Sequence, residues 1–151
     1  MLIRKATLKD AKYIGQLVLK PAQDVKQAGD ESYVDPHPWH RTLSSVLASP
    51  EWTFFLAVDG ESKIGLLVFH IRPSLNDGKK RATITNLVIA DDYVNQGIER
   101  QLVEEAMKSA SAKGCTGLYT TVDTGDNKSL DMYRTLGFRR EREFFELELK
   151  R

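Results

Sequence analysis

The stretch from about Gln96 to Lys113 constrains this chain most. Ile98, Leu102, Ala106 and Ala110 fall at i, i+4, i+8 and i+12, with Val103 and Met107 beside them, while Glu99, Arg100, Glu104 and Lys108 lie off that row. One apolar stripe on a polar helix is therefore predicted, with Gly114 as its terminator. Before it, Arg81 to Ala90 carries Ile84, Leu87, Val88 and Ile89 and reads as a strongly apolar strand; after it, Leu118 to Val122 reads as a short one. Strand, helix and strand within about 40 residues are enough for a right-handed crossover that makes the two strands parallel neighbours.

The remaining elements complete a mixed sheet. Met1–Thr7 is predicted as a short strand, and Leu8–Leu19 as a helix with apolar residues at 8, 11, 14, 17 and 18 that Thr7 can cap. Lys20–His40 breaks into Pro, Gly, Asp and aromatic residues, and a helical stretch with Leu43, Val46 and Leu47 on one side stops at Pro50. Trp52–Val58 and Ser62–Ile71 are apolar and aromatic, joined by Asp59 and Gly60, a hairpin signal. Asn76, Asp77 and Gly78 turn the chain into the strand at 81–90, making a three-strand meander. A last helix from about Asn127 to Leu136 ends at Gly137, and Glu143–Leu149, with Phe144, Phe145, Leu147 and Leu149, is predicted as a final strand. The expected fold is α/β (α+β), three layers, with a central sheet of about six to seven strands flanked by about four helices.

At 151 residues the chain has the length of one ordinary domain, and no Pro-, Gly- or Ser-rich linker divides it, so a single domain over residues 1–151 is expected. With 22 basic and 21 acidic residues interspersed, a net charge of +1 gives no electrostatic case for a nucleic-acid partner. The longest apolar stretch, Ile64–Phe69 counting Gly65, is six residues, against the roughly 18 a membrane-spanning helix requires. Arg4, Lys5, Lys9, Asp10 and Lys12 interrupt the start where a secretory signal would be apolar. One cysteine, Cys115, cannot make an intramolecular disulfide, and a reducing, cytoplasmic setting is the expectation.

The element order, together with TNLVIADDYVNQGIERQLVEEAMKSA (Thr85–Ala110) and NKSLDMYRTLGF (Asn127–Phe138), resembles the GNAT superfamily of N-acetyltransferases. The resemblance implies a strand, a glycine-bearing loop and a helix that hold acetyl-CoA as cosubstrate. The family's pyrophosphate pattern is Gln or Arg, two residues, Gly, one residue, Gly or Ala; here it falls on Val94, Asn95, Gln96, Gly97, Ile98 and Glu99, and Gly97 alone fits. Arg100 follows. Backbone N–H groups of Leu87, Val88 and Ile89 are implied to hold the pantetheine arm. Tyr133, four residues before Gly137 and followed by Phe138, matches the family's Tyr, three residues, Gly, Phe ending, and is implied to lie near the coenzyme sulfur as general acid. The family often has an Asn seven places before that Tyr; here Asp126 stands there, with Asn127 the neighbouring candidate.

The residues themselves leave alternatives. Gly97 and Glu99 also suit an ordinary strand-to-helix turn, with the carboxylate complementing the helix dipole. Tyr133 also suits a helix core position. Where many relatives carry a strand Glu as base, this chain has Thr85, which takes no proton at neutral pH; His70 has the reference pKa for a base, but a lone strand histidine is more often structural. The stretch Gln23–His40, with Asp24, Asp30, Glu31, Tyr33, Asp35, His37, Trp39 and His40, is implied by the resemblance to form the acceptor pocket, and its carboxylates and aromatics suit a cationic amine. Two histidines without a third ligand give no metal site. The expectation is transfer of acetyl from acetyl-CoA to an amine of a small molecule or protein. The alternative, which Val94, Glu99 and Thr85 favour, is a weak or inactive domain of this fold that binds an acyl-CoA or a protein partner. An exposed final strand is also a place where two copies can pair as a homodimer.

Overall fold

The computed structural model describes residues 1–18 and 36–149, the side chains of 36–41 excepted. These residues fall into two compact units, Met1–Tyr119 and the stretch beginning at Thr120.

The first unit is a five-stranded sheet in the order β1-β2-β3-β4-β5, comprising β1 Leu2–Lys5, β2 Trp52–Asp59, β3 Ser62–Pro73, β4 Lys80–Ile89 and β5 Gly117–Tyr119. The β1, β2, β3 and β4 pairings are antiparallel, and β5 runs parallel to β4. Helix α1 covers residues 11–18, α2 is Pro36–Ala48 and α3 is Ile98–Ala112. The hairpin at Asp59 and Gly60, the turn at Gly78 and the parallel crossover through α3 all follow the sequence pattern.

Strand alternation divides the core into two layers. Phe54 and Leu56 of β2 and Leu66 and Val68 of β3 cluster with Ile14 of α1 and Leu43 of α2. On the other face the α3 stripe of Ile98, Leu102, Val103, Ala106 and Ala110 is buried. Truncating fully buried Leu102 to alanine would cost about 2–5 kcal/mol. Gly65 marks where α3 comes closest: a Cβ there would lie 2.9 Å from Ile89 Cδ1 and 3.2 Å from Leu102 Cδ1. At the far end of α3, Lys113 Nζ donates to Thr53 Oγ1 at 2.7 Å, fixing the helix terminus to β2.

The join between β1 and α1 is ionic. Asp10, 2% exposed, accepts from Arg4 Nη1 at 2.8 Å and Nη2 at 2.9 Å and from the Thr7 N–H at 2.8 Å, and Lys63 Nζ is 3.3 Å away. The Arg4 guanidinium holds the Asp10 carboxyl far below the ordinary carboxylate range, against the opposing effect of burial. Tyr13 Oη donates to the Lys63 carbonyl, so α1 is tied to β3 beside the same cluster.

In the second unit, α4 spans Asn127–Thr135. Asp126 caps it by accepting from the Ser129 N–H at 3.1 Å, and Gly137 (φ 96°) takes the left-handed turn after its end. The expected strand at Glu143–Leu149 does not form: residues 139–149 enter no ladder, and among the described residues the sheet has five strands rather than six or seven. Alternating apolar residues make a segment able to be a strand, but a ladder also requires an edge to pair with. The strand expected over Leu118–Val122 is likewise short, Gly117–Tyr119.

Candidate functional site

β4 carries the first part of the site. Phe69 pairs with Ile84 and Val68 with Asn86, which leaves Thr85 as the extra residue of a β-bulge. A bulge bends its strand and raises the local twist. Pairing with β5 stops at Thr83 opposite Tyr119, two residues before the bulge. From there to Ile89 the β4 edge on that side enters no ladder with a described strand.

The register fixes which amides face that edge. The Ala90 N–H donates to the Ile64 carbonyl at 2.8 Å, and Gly65 pairs with Ile89, Leu66 with Val88 and Leu67 with Leu87. In an antiparallel pair, hydrogen-bonded and non-hydrogen-bonded residues alternate. Ala90, Val88 and Asn86 therefore turn their N–H and C=O groups to β3, and Ile89 and Leu87 turn theirs outward. Of the three amides that the resemblance implies, those of Leu87 and Ile89 belong to the open edge, while that of Val88 is directed at Leu66.

The edge runs into a loop that leads to α3. Asp91–Tyr93 form one 3-10 turn, and Gln96 Nε2 donates to the Asp92 carbonyl at 3.3 Å. Asn95 (φ 67°) and Gly97 (φ 77°) both take left-handed backbone; Val94 is exposed, and Ile98 turns into the core. A Cβ on Gly97 would meet nothing within 4 Å. The first intrahelical bond here is from the Gln101 N–H to the Gly97 carbonyl at 3.2 Å, and Gly97 has no side chain with which to cap. The Ile98 and Glu99 amides thus have no acceptor inside α3 and point out of its positive end. Glu99 brings a carboxylate into this first turn, and Arg100 Nε is 3.3 Å from Glu104 Oε1, one turn further along. A cleft of about 320 Å³ beside the loop is lined by Met1, Asp59, Ile64, Tyr93, Gln96 and Ile98, with Gln101. A smaller cavity of about 90 Å³, lined in part by Lys5, Trp52 and Lys113, belongs to the opposite end of α3.

Tyr133 belongs to the second unit. It is 6% exposed, and its ring meets Phe138 edge-on at 5.1 Å and 64°. Burial pushes its hydroxyl above the ordinary tyrosine value, with a hydrogen bond between it and Thr120 pulling the other way. It stays a protonated donor through the neutral range. Asp126 is taken up as helix cap, which leaves the exposed Asn127 at the first helical position.

The other sequence candidates have local roles. The His70 ring lies against Trp52, centroids 4.5 Å apart and tilted by 41°, and its Nε2 is 3.6 Å from Glu51. Thr85 Oγ1 is 3.4 Å from the Val68 carbonyl, across the bulge. Of the acceptor-loop residues, Asp24, Asp30, Glu31, Tyr33 and Asp35, and the side chains of His37, Trp39 and His40, lie outside the described residues. Among the described residues no group of three or more His, Cys, Asp or Glu is placed to hold a metal ion, and no helix is long and apolar enough to cross a membrane.

A bulged strand with an open edge that leads through a glycine to an uncapped helix start is the framework of an acetyltransferase domain. The sequence matches the acetyltransferase (GNAT) family over residues 9–138, and the chain belongs to that family. Among solved structures it is similar to a transcriptional regulator from Bacillus halodurans C-125, at 26% identity over 98% of this chain and 99% of that one, with a TM-score of 0.82. It shares its fold with the aminoglycoside acetyltransferase meta-AAC0020 from an uncultured soil metagenomic sample, seen in complex with trehalose and with sisomicin, at 20% identity over 99% and 96% of the two chains, with a TM-score of 0.78. Comparison with curated proteins finds no match.

Proposed function

We propose that this chain moves an acetyl group from acetyl-CoA to an amine of a small molecule or a protein, by direct attack in a ternary complex. The observation that carries the reading is the pair of outward amides at Leu87 and Ile89 on an open strand edge that leads to the uncapped start of α3. Main-chain donors of this kind suit the amide-rich arm of the coenzyme and the thioester carbonyl, and they act with almost any side chains on the strand. The Ile98 and Glu99 amides, at the positive end of a helix, suit the diphosphate, and Gly97 leaves the approach clear.

Acetyl-CoA supplies the acetyl group already activated as a thioester. Tyr133 is assigned the donor to the departing sulfur: even an ordinary phenol near pKa 10 facing a thiolate near 8.5 is uphill by about 2 kcal/mol for full transfer, and burial makes Tyr133 a weaker acid still, so its role is a hydrogen bond to the developing charge. The amine must be neutral to attack, which for a lysine-like group of pKa about 10.4 requires roughly 4.6 kcal/mol at pH 7. Thr85 cannot supply a base, and proton removal falls to water or to the acceptor side of the site.

The test is a thermal-shift titration with acetyl-CoA, followed by thiol-release assays over an amine panel that includes polyamines, aminoglycosides and lysine peptides. Stabilisation by the coenzyme with turnover on one class is the expected result. Stabilisation without turnover on any amine would favour the binding-domain alternative, to which Glu99 and Thr85 lend support. No stabilisation at millimolar coenzyme overturns the transfer reading and leaves only the protein-partner form of the alternative.

A further inference from the structure

The cavity of about 90 Å³ at the far end of α3 brings two lysines together, with no carboxylate among the described residues that line it. Lys5 stands opposite Phe55 in the β1–β2 ladder, and Thr53 lies two residues before Phe55, so Lys5 and Thr53 share the face of the sheet that α3 covers. Lys113 reaches the same place from the helix end. Its Nζ donates to Thr53 Oγ1 at 2.7 Å and lies 5.8 Å from the centre of the ring of Phe69, the cross-strand neighbour of Thr53. Trp52, Phe54 and Leu47 add apolar wall.

The Lys113 side chain is not needed to finish its helix. The last carbonyls of α3, those of Ser109, Ala110 and Ser111, already accept from the amides of Lys113, Cys115 and Gly114. Arg4, Lys63, Arg81 and Lys108 each reach a carboxylate, whereas among the described residues Lys5 and Lys113 reach none. Burial, and after it the charge of Lys5, holds the Lys113 amine below the ordinary lysine value, with Cys115 acting the other way. The Lys113 ammonium is therefore partly desolvated beside a like charge, and Thr53 takes one of its three hydrogens. Thr53, 4% exposed, accepts that bond and keeps its own hydrogen for a further acceptor. Charge taken out of water requires a partner of opposite sign.

We infer that this cavity is a binding site for a small oxyanion, a carboxylate or a phosphate, held between the ammonium groups of Lys5 and Lys113 with the Thr53 hydroxyl as a further donor. The space exceeds what one water requires and falls well below the roughly 300 Å³ at which pockets for larger ligands begin, so it suits an ion of the size of acetate or inorganic phosphate. One such ion joins the end of β1 to the end of α3 across β2, and adds to the hold that the Lys113 to Thr53 bond has on the helix terminus. With 15 residues α3 is roughly 22 Å long, which separates this site from the uncapped helix start. The inference does not depend on the proposed activity.

Thermal unfolding of the full chain in rising inorganic phosphate, and separately in rising acetate, against sodium chloride at matched ionic strength tests it. A saturable rise in Tm is expected, about 3–6 °C at ten times the dissociation constant, and a response to one ion alone identifies which oxyanion the site takes. Phosphate also stabilises folded chains in general by exclusion from their surface, an effect that does not saturate and is indifferent to single lysines. Lys5→Met and Lys113→Met should each weaken the saturable binding by about tenfold or more, with circular dichroism to verify folding. Lys5 is exposed, so its variant keeps the test informative if the change at Lys113 disturbs the helix end. In ¹⁵N-labelled protein the bound ion should shift the amides of Ala6, Thr53 and Lys113. A rise that does not saturate with either ion, affinities equal in the wild type and both variants, or shifts confined to Ile98 and Glu99 at the other end of the helix would each overturn the inference.

Discussion

Asn95 and Gly97, two residues apart, both hold left-handed backbone, at φ 67° and 77°, and between them turn the chain from the β4 edge into α3. Asn tolerates this region better than most residues, and Gly does so without penalty. The turn therefore opens the helix start without a side chain over it.

Gly97→Ala separates strain from binding. A Cβ at position 97 meets no protein atom within 4 Å but must adopt the same positive φ. Stability should fall by only about 1–2 kcal/mol. Acetyl-CoA affinity, measured by calorimetry, should fall by at least about tenfold, because the added methyl enters the approach to the Ile98 and Glu99 amides. Equal affinities in the two proteins would remove Gly97 from the site.

Glu99→Gln should tighten coenzyme binding. At a separation of about 7 Å, a carboxylate and a phosphate charge repel by roughly 0.6–2.4 kcal/mol for dielectric constants of about 80 to 20, so affinity should rise by about 3- to 60-fold, more at low salt. Calorimetry at two ionic strengths checks both the sign and the salt dependence; weaker binding by the variant would show that Glu99 turns away from the ligand or assists it.

Tyr133→Phe should leave the coenzyme dissociation constant within a factor of about two while kcat falls by about 100-fold or more, the usual range for loss of a positioned proton donor. Steady-state kinetics beside calorimetry tests this. Unchanged kcat would reduce Tyr133 to a buried ring packed on Phe138.

Asp10→Asn should cost about 2 kcal/mol, since the hydrogen bonds from Arg4 and Thr7 lose their ionised acceptor and Arg4 is already partly exposed. That corresponds to roughly 4–8 °C in Tm for a chain of this size. The lowered carboxyl also sets the pH dependence. As pH falls below about 4 the unfolded chain takes up this proton before the folded one, so the contribution of Asp10, fully present above that pH, is lost progressively with acid. Denaturant titrations from pH 7 to pH 3 should show a smaller fall in stability for the variant than for the wild type.

The helix at 98–112 and the β2, β3 and β4 meander were legible in the sequence because each buries a face with its own period, 3.6 or 2 residues. The crossover was legible because its length admits one arrangement. What was not legible depends on register. Thr85 as a bulge residue, and the outward amides at Leu87 and Ile89 with Val88 turned inward, follow from which residue of β3 stands opposite each, and no side-chain pattern encodes that. The Asp126 cap did have a signal, a carboxylate directly before a helical run. The last segment shows the converse: Phe145, Leu147 and Leu149 alternate as a strand does, yet alternation gives a face and says nothing of which edge receives it.

A titration of ¹⁵N-labelled protein with acetyl-CoA, followed amide by amide, tests the central claim most directly. The account predicts large shifts at Leu87, Ile89, Ile98 and Glu99, with a clearly smaller one at Val88, whose N–H is directed at β3. Unchanged amides on the β4 edge and at the start of α3 at millimolar coenzyme, or shifts confined to other parts of the chain, would contradict it.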